Sequence, residues 1–161
     1  MKKLMLVRHA KSDWNDPTQD DFDRPLNERG LAAAPQMAAR LLQQSIIPQR
    51  IISSPALRAK TTALAFSLKL NLPEISYNEA IYDARYADLL RVINKLPDDD
   101  DFVALVGHNP GMSDLLYELT HDMADMPTCA VAVIEFNTDH WELAGEGMGR
   151  VKFYDFPKNG D

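Results

Sequence analysis

The sequence predicts an α/β fold, a single-domain three-layer architecture in which helices cover both faces of a mainly parallel central sheet. Short apolar runs at 4–7, 50–53 and 102–106 are typical of buried strands. Each run is followed by a longer segment in which apolar residues recur at helical spacing. Strands that alternate with helices in this way are typical of a parallel sheet with helices on its faces.

Length and charge fit one domain over 1–161, and no linker or internal repeat divides the 161 residues. The formal net charge of -7 argues against a nucleic-acid partner, which needs a basic face. Cys129 is the single cysteine, so no internal disulfide forms, and no zinc-type spacing is present. No apolar run is long enough to span a bilayer, and the first strand does not read as a signal peptide. We therefore expect a cytoplasmic protein with no membrane partner.

The first strand ends abruptly in Arg8 and His9, and a polar loop over 11–24 follows. Asn27 then predicts a helix cap, and apolar residues at helical spacing continue to Leu42. Pro35 lies inside this pattern, so we expect either a kink or a late helix start.

The second strand, 50–53, is followed by Ser54 and Pro55, which read as an N-cap and a first helical residue. The helix that follows is apolar on two faces, which predicts that it is largely buried. Arg58 lies in its first turn, where helical side chains lean toward the N-terminus. We expect its guanidinium to reach the carboxyl end of the second strand.

The remaining pattern predicts further elements in the second half of the chain. The strongest strand, 102–106, ends in Gly107 and His108, and Asn109 with Pro110 then starts a helix. The other expected elements are a short strand at 75–77, a helix at 86–95, and three strands at 131–136, 141–143 and 151–154.

Basic side chains therefore gather at one edge of the predicted sheet, where open α/β sheets bind ligands. Arg8 with His9, Arg58, and His108 each follow or adjoin a strand end. The planar guanidinium group of arginine suits an oxyanion, and helix N-termini also favour anions. Histidine can act as a nucleophile or as an acid or base near neutral pH. The recurrence of basic residues at these strand ends predicts a pocket for a tetrahedral dianion. No cluster with metal-ligand spacing is visible, so we expect no metal and no other cofactor.

Three motifs carry a resemblance to the histidine phosphatase superfamily, which is also called phosphoglycerate-mutase-like. Residues 6–10, Leu-Val-Arg-His-Ala, resemble its Arg-His-Gly signature, with Ala10 in place of the usual glycine. Residues 54–62 resemble the Ser-Pro-x-x-Arg-Ala-x-x-Thr signature, and 107–109 the Gly-His-Asn signature. The short length, the Arg-Pro-Leu of 24–26 and Gly30 are most similar to the SixA-type phosphohistidine phosphatases.

The resemblance implies a mechanism for these residues. His9 would attack phosphorus as a neutral imidazole whose other ring nitrogen donates to a backbone carbonyl, and water would then hydrolyse the phosphohistidine intermediate. Arg8 and Arg58 would grip the phosphoryl oxygens, and His108 would donate to the same oxygens. Arg24 is a candidate for the pocket rim. No metal is needed because the arginines and histidines neutralise the charge.

The sequence leaves open whether a carboxylate acts as the general acid or whether the reaction needs no general acid. Glu79 and Asp83 lie after the second signature, where larger superfamily members carry an acid, but both also read as surface carboxylates. An alkoxide leaving group needs a proton from an acid, whereas a phosphorylated imidazole can leave neutral when its distal nitrogen is protonated. A phosphohistidine-bearing signalling or phosphotransfer protein is therefore the expected substrate. The alternatives are a phosphomonoesterase acting on a small phosphorylated substrate (a sugar phosphate or nucleotide) and a phosphate-binding regulatory module without turnover.

Overall fold

A computed structural model describes residues 1–123 and 125–158, and the strands of this part of the chain form one six-stranded sheet. The strands are β1 (Lys2–Arg8), β2 (Arg50–Ser53), β3 (Ser76–Tyr77), β4 (Phe102–Gly107), β5 (Val131–Phe136) and β6 (Gly149–Asp155). Their order is β3-β2-β4-β1-β5-β6. The first four run parallel, and β5 and β6 are antiparallel to their neighbours. The predicted domain end at 161 lies outside the described residues.

Helices cover both faces of the sheet, which confirms the predicted fold class. The helices are α1 (Glu28–Gln43), α2 (Leu57–Leu70), α3 (Tyr86–Asn94) and α4 (Gly111–Thr120). Side chains of β1 alternate between the faces: Met5 and Val7 pack with α1 and α2, whereas Leu4 and Leu6 pack with α3 and α4. No helix among the described residues is both long and apolar enough to cross a membrane.

The register of the central strands brings their carboxyl ends to one place. Arg8 of β1 lies opposite Gly107 of β4, and Val106 of β4 lies opposite Ser53 of β2. The residues that follow these strand ends therefore start from neighbouring positions on one edge of the sheet.

Three short 3₁₀ helices complete the described structure, and one of them replaces a predicted strand. They span Asp21–Asp23, Glu79–Ile81 and Trp141–Leu143. The strand prediction for 141–143 is wrong because Trp141 is buried in a turn, where its Nε1–H donates to the Asp100 carbonyl oxygen at 2.7 Å. The backbone N–H of Ala144 donates to the Trp141 carbonyl, which closes the turn.

Helix α1 begins at its predicted cap, so the late start suggested by Pro35 is wrong. The Asn27 side chain accepts a hydrogen bond from the Gly30 N–H at 2.9 Å, and the helix is continuous to Gln43. Pro35 and Leu31 are both exposed. The Leu31 carbonyl, which loses its partner to the proline, can therefore be hydrated by solvent.

Helix α2 differs from its prediction at its start and on its outer face. It begins at Leu57, because Ser54 accepts the N–H of Ala56 and closes a turn before the helix instead of capping it. Its inner face packs on the sheet and on α1. Leucines on the outer face are exposed, Leu68 by 82%. The expectation that the helix is largely buried is therefore wrong.

Gly30 ties the loop after β1 to the first turn of α1. A Cβ at this position would stand 2.1 Å from the Lys11 carbonyl oxygen, so only glycine allows the two backbones to approach this closely. The N–H of Asn27 donates to the same carbonyl at 3.0 Å. The chain that leaves His9 is thereby fixed against the helix.

Candidate active site

A pocket of about 520 Å³ lies at the edge where β1, β2 and β4 end. It brings together six of the seven side chains that the sequence singled out, and these are Arg8, His9, Arg24, Arg58, Asp83 and His108. Glu79 does not line it, because its side chain is exposed, whereas Ile81 of the same 3₁₀ helix enters the core and the next residue, Tyr82, lines the pocket.

His9 is buried, and its hydrogen bonds fix both its position and its tautomer. Its backbone N–H donates to the Gly107 carbonyl, and its own carbonyl accepts the N–H of Cys129. Ring atom Nδ1 lies 2.7 Å from the Ala10 carbonyl oxygen. A carbonyl only accepts, so Nδ1 carries the proton and Nε2 keeps its lone pair.

The pKa of His9 is lowered to about 4, chiefly by burial and further by the charges of Arg58 and Arg8. The hydrogen bond to the Ala10 carbonyl acts in the opposite direction but does not offset the burial. The imidazole is therefore neutral at pH 7, which is the state that a nitrogen nucleophile requires.

His108 faces His9 at a ring-centroid distance of 5.1 Å. Its Nε2 lies 2.8 Å from Ser54 Oγ, the same oxygen that accepts the Ala56 N–H. Its Nδ1 is buried and has no hydrogen-bond partner among the described residues. Burial, together with the charges at His9 and Arg58, lowers the pKa of His108 to about 3, so this ring is also neutral at pH 7. If Ser54 donates to Nε2, Nδ1 carries a proton available to a ligand.

Three arginines surround the two histidines. Arg8 Nη1 donates to the Met126 carbonyl at 2.9 Å. Arg24 donates to Ser12 Oγ, and Arg58 Nη1 donates to the Asp21 carbonyl at 2.6 Å. The Nε atom of each arginine is buried with no partner in the described part of the chain. Each guanidinium is thus anchored on one side and keeps donor capacity for an oxyanion.

Asp21 is a pocket residue that the sequence did not single out. Its Oδ2 accepts from Arg58 Nη2 at 3.0 Å and from the Tyr82 hydroxyl at 2.7 Å, and its Oδ1 accepts from Arg24 Nη2 at 3.0 Å. Partial burial works to raise the pKa of Asp21, but hydrogen bonds from Tyr82, Arg24 and Arg58 outweigh it and hold the pKa below its usual range. The carboxylate is therefore ionised and contacts two of the three arginines.

Aromatic side chains form the outer wall of the pocket. The centroid of the Trp14 ring lies 3.6 Å from the Arg24 guanidinium carbon, although Trp14 is 74% exposed. Tyr82 meets His108 edge-to-face at 5.6 Å between ring centroids, and Phe22 meets Tyr82 in the same way at 5.2 Å. The loop after β1 thus contributes an exposed aromatic ring beside an anion site, which the loop's polar composition does not predict.

The balance of charge in the pocket favours an anion. Among the described lining residues, four are cationic (Arg8, Lys11, Arg24, Arg58) and two are acidic (Asp21, Asp83), a net of two positive charges while both histidines are neutral. The whole chain carries -7. In residues 1–123 and 125–158, no group of three or more His, Cys, Asp and Glu side chains is arranged to hold a metal ion.

Comparisons with known proteins agree with this geometry. Residues 4–82 match the model of the histidine phosphatase superfamily, branch 1. An uncharacterized chloroplastic protein of Arabidopsis thaliana is 30% identical over 94% of this chain and 76% of its own length. Phosphoserine phosphatase 1 of Hydrogenobacter thermophilus is 35% identical over 62% of this chain and 49% of its own length. The crystal structure of a protein assigned as the phosphohistidine phosphatase SixA, from Agrobacterium tumefaciens, matches with a TM-score of 0.83 and 29% identity, covering 97% of this chain and 98% of that one.

The fold, the anion pocket and these matches define a hydrolase of the phosphatase class. The chain belongs to the histidine phosphatase superfamily. The resemblance carried by the three sequence motifs is therefore confirmed.

Acid is expected to destabilise the fold before it protonates surface carboxylates. Below pH 6.5 the unfolded chain binds protons at His9 and His108, whereas the folded chain does not until about pH 4 and about pH 3. The free energy of unfolding should therefore fall by on the order of 5 kcal/mol between pH 7 and pH 4, as measured by urea unfolding at a series of pH values.

The matched control is the double variant His9→Gln with His108→Gln. Its free energy of unfolding should depend much less on pH in the same window, because the groups that charge on unfolding are gone. Equal pH dependence in the variant and the wild type would contradict the assignment of two neutral buried histidines.

Proposed function

We propose that the protein is a phosphohistidine phosphatase that removes the phosphoryl group from a histidine of a signalling or phosphotransfer protein. The observation that carries this proposal is the state of the carboxylates that line the pocket. Asp21 is ionised and bound to Arg58, Arg24 and Tyr82, and Asp83 is exposed. Asp21 therefore has no proton to give to a leaving group, and Asp83 is not enclosed against one. A substrate whose leaving group carries its own proton suits such a site.

In the proposed reaction, His9 Nε2 attacks phosphorus and forms an N–P bond. The N–P bond of the substrate breaks at the same time, and its imidazole leaves with the electron pair as a neutral ring because its distal nitrogen is protonated. Water then attacks phosphorus, His9 leaves as a neutral imidazole that retains its Nδ1 proton, and the water proton ends on the released phosphate. The hydrogen bond from Nδ1 to the Ala10 carbonyl supports this role, because it leaves Nε2 free.

The other pocket residues are proposed to stabilise the transferred group. Arg8 and Arg58 would bind its equatorial oxygens, and Arg24 would contribute positive charge from the wall that it forms with Trp14. His108 would donate from Nδ1, the ring atom that lacks a protein partner, while Ser54 holds Nε2. No metal or other cofactor has a role in this scheme. The cytoplasmic location and a phosphohistidine-bearing partner protein stay predictions of the sequence.

A small phosphomonoester is the second candidate substrate. The similarity to phosphoserine phosphatase 1 of Hydrogenobacter thermophilus favours it. So does the position of Asp83, which lines the pocket and could protonate an alkoxide. A regulatory module that binds phosphate without turnover is disfavoured, since such a module has no use for a free Nε2 on His9.

The two substrate classes are separated by Asp83→Asn. Its rate on a phosphohistidine protein should change little, because the leaving imidazole carries a proton. Its rate on an alkyl phosphate, where wild type hydrolyses one, should fall by about 100- to 10,000-fold. The matched control is Glu79→Gln, which changes another exposed carboxylate that lies outside the pocket and should leave both rates unchanged. The phosphohistidine proposal fails if wild type turns over alkyl phosphates well and ignores phosphohistidine.

Asp21→Asn is expected to tighten anion binding. The substitution removes a negative charge that contacts Arg58 and Arg24, while the backbone carbonyl of residue 21 still accepts from Arg58 Nη1. The dissociation constant for tungstate, measured by calorimetry, should fall by about 3- to 10-fold. Asp20→Asn, one residue earlier and exposed, is the matched control and should not change it. An unchanged or larger constant for Asp21→Asn would show that the carboxylate does not compete with the anion.

A further inference from the structure

A groove of about 440 Å³ adjoins the catalytic pocket and is not used by the reaction described above. It runs between the exposed side of α1 and the last described residues of the chain. Lys11 and Thr128 line both the groove and the pocket, so the two spaces lie on either side of these two residues. A substrate that is larger than its phosphoryl group can therefore extend from His9 into the groove.

The walls of the groove are apolar and fixed. Ala32 and Ala33 of α1 form one side, and Phe156 with Pro157 forms the other. Arg40 of α1 donates to the carbonyl oxygens of Phe156 and Pro157 at 3.0 and 2.7 Å. The C-terminal segment is thus held against the helix, and this contact fixes the second wall of the groove.

The charge of the groove is wholly positive among the residues described. Its charged lining residues are Lys11, Arg29 and Lys158, all exposed, and no acidic side chain of residues 1–123 or 125–158 lines it. None of these three cations forms a salt bridge with another described residue. This distribution is notable in a chain with a formal net charge of -7, because acidic residues to pair with them are abundant elsewhere.

We propose that this groove binds an acidic segment of the substrate protein that flanks its phosphohistidine. The proposal rests on the proposed function and adds the substrate's local chemistry to it. The apolar walls contact the backbone and the aliphatic parts of the side chains of the segment, and the three cations pair with its carboxylates. A substrate without such a segment occupies only the catalytic pocket.

Two synthetic peptides and one small molecule test the inference. Both peptides carry a single phosphohistidine in otherwise equal sequences, one with Asp and Glu at the flanking positions and the other with Asn and Gln. Phosphoramidate, which fills only the catalytic pocket, reports the basal reaction. Wild type should hydrolyse the acidic peptide with a kcat/KM about tenfold above that of the neutral peptide, mainly through KM, the summed effect of a few exposed ion pairs. The difference should shrink at high salt.

The double variant Arg29→Glu with Lys158→Glu should abolish or invert the preference for the acidic peptide and leave phosphoramidate turnover unchanged. Lys69→Glu with Lys95→Glu makes the same change of net charge at exposed positions away from the groove and should keep the preference. Ala32→Phe, which fills the groove, should weaken both peptides and leave phosphoramidate unaffected.

The outcomes separate the inference from the function on which it rests. Equal kcat/KM values for the two peptides in wild type, with phosphoramidate hydrolysed normally, would overturn the groove as an acidic-segment site. So would an equal loss of preference in the control pair. Failure of wild type to hydrolyse phosphoramidate and both peptides would instead overturn the phosphohistidine phosphatase function and, with it, this inference.

Discussion

His9→Ala is expected to abolish turnover, with a loss of about 10⁴-fold or more in the rate of phosphate release. The reason is that Nε2 of this buried, neutral ring is the proposed nucleophile, and alanine supplies no group that could form the covalent intermediate. The fold should persist, because the backbone N–H and carbonyl of residue 9 keep their partners at Gly107 and Cys129.

The measurement is phosphate release from a phosphohistidine protein and from phosphoramidate. Wild type mixed with a radiolabelled substrate and quenched in alkali should also retain label, whereas His9→Ala should not. His121→Ala removes an exposed histidine outside the pocket and serves as the matched control, with wild-type activity expected. Persistent phosphate release by His9→Ala would rule out the covalent mechanism.

Arg58→Ala should lower kcat/KM by about 10²- to 10³-fold and weaken tungstate binding, because the substitution removes one of the guanidinium groups that are proposed to bind the transferred phosphoryl group. Arg58→Lys should recover little of the activity, since an ammonium group cannot reproduce two parallel hydrogen bonds. Asp21 should remain in place through Tyr82 and Arg24.

Steady-state kinetics and tungstate calorimetry check this expectation, with circular dichroism to confirm folding. Arg91→Ala is the matched control: Arg91 is an exposed arginine on α3 whose only described salt bridge is to Asp88, three residues earlier. If Arg58→Lys had the activity of wild type, the proposed bidentate role of the guanidinium would be wrong.

The strand ends and their basic residues could be predicted from sequence because that pattern is local. An apolar run that stops at Arg8 and His9, or at Gly107 and His108, identifies both the strand and the edge at which it ends. The parallel order of the strands then brings the separate motifs together. Four pocket residues could be predicted in this way without any tertiary information, and these are Arg8, His9, Arg58 and His108.

Asp21 could not be predicted because its role depends on partners that are distant in sequence. Its carboxylate meets Arg58, 37 residues later, and Tyr82, 61 residues later. The same loop also contains Asp13, Asp16, Asp20 and Asp23, and no periodicity distinguishes one of the five from the others. Sequence alone therefore located the loop at the pocket but not the side chain within it.

The errors in the fold come from patterns that fit two structures equally well. The run at 141–143 has too few residues to separate a strand from a 3₁₀ turn, and in the turn the buried Trp141 satisfies its polar atom with the Asp100 carbonyl. The leucines on the outer face of α2 recur at helical spacing, but this spacing does not predict whether another element packs over them. Contacts between elements determine both the conformation of 141–143 and the exposure of these leucines.

The position of Cys129 gives the protein a built-in reporter of unfolding. The thiol is fully buried, burial raises its pKa to about 12, and the N–H of the same residue donates to the His9 carbonyl. An alkylating reagent reacts with a thiolate that it can reach, so it modifies Cys129 only in molecules in which this region has opened. Because the chain has one cysteine, the labelling rate of a single site measures how often the segment that holds the proposed nucleophile separates from its neighbours, with no engineered probe.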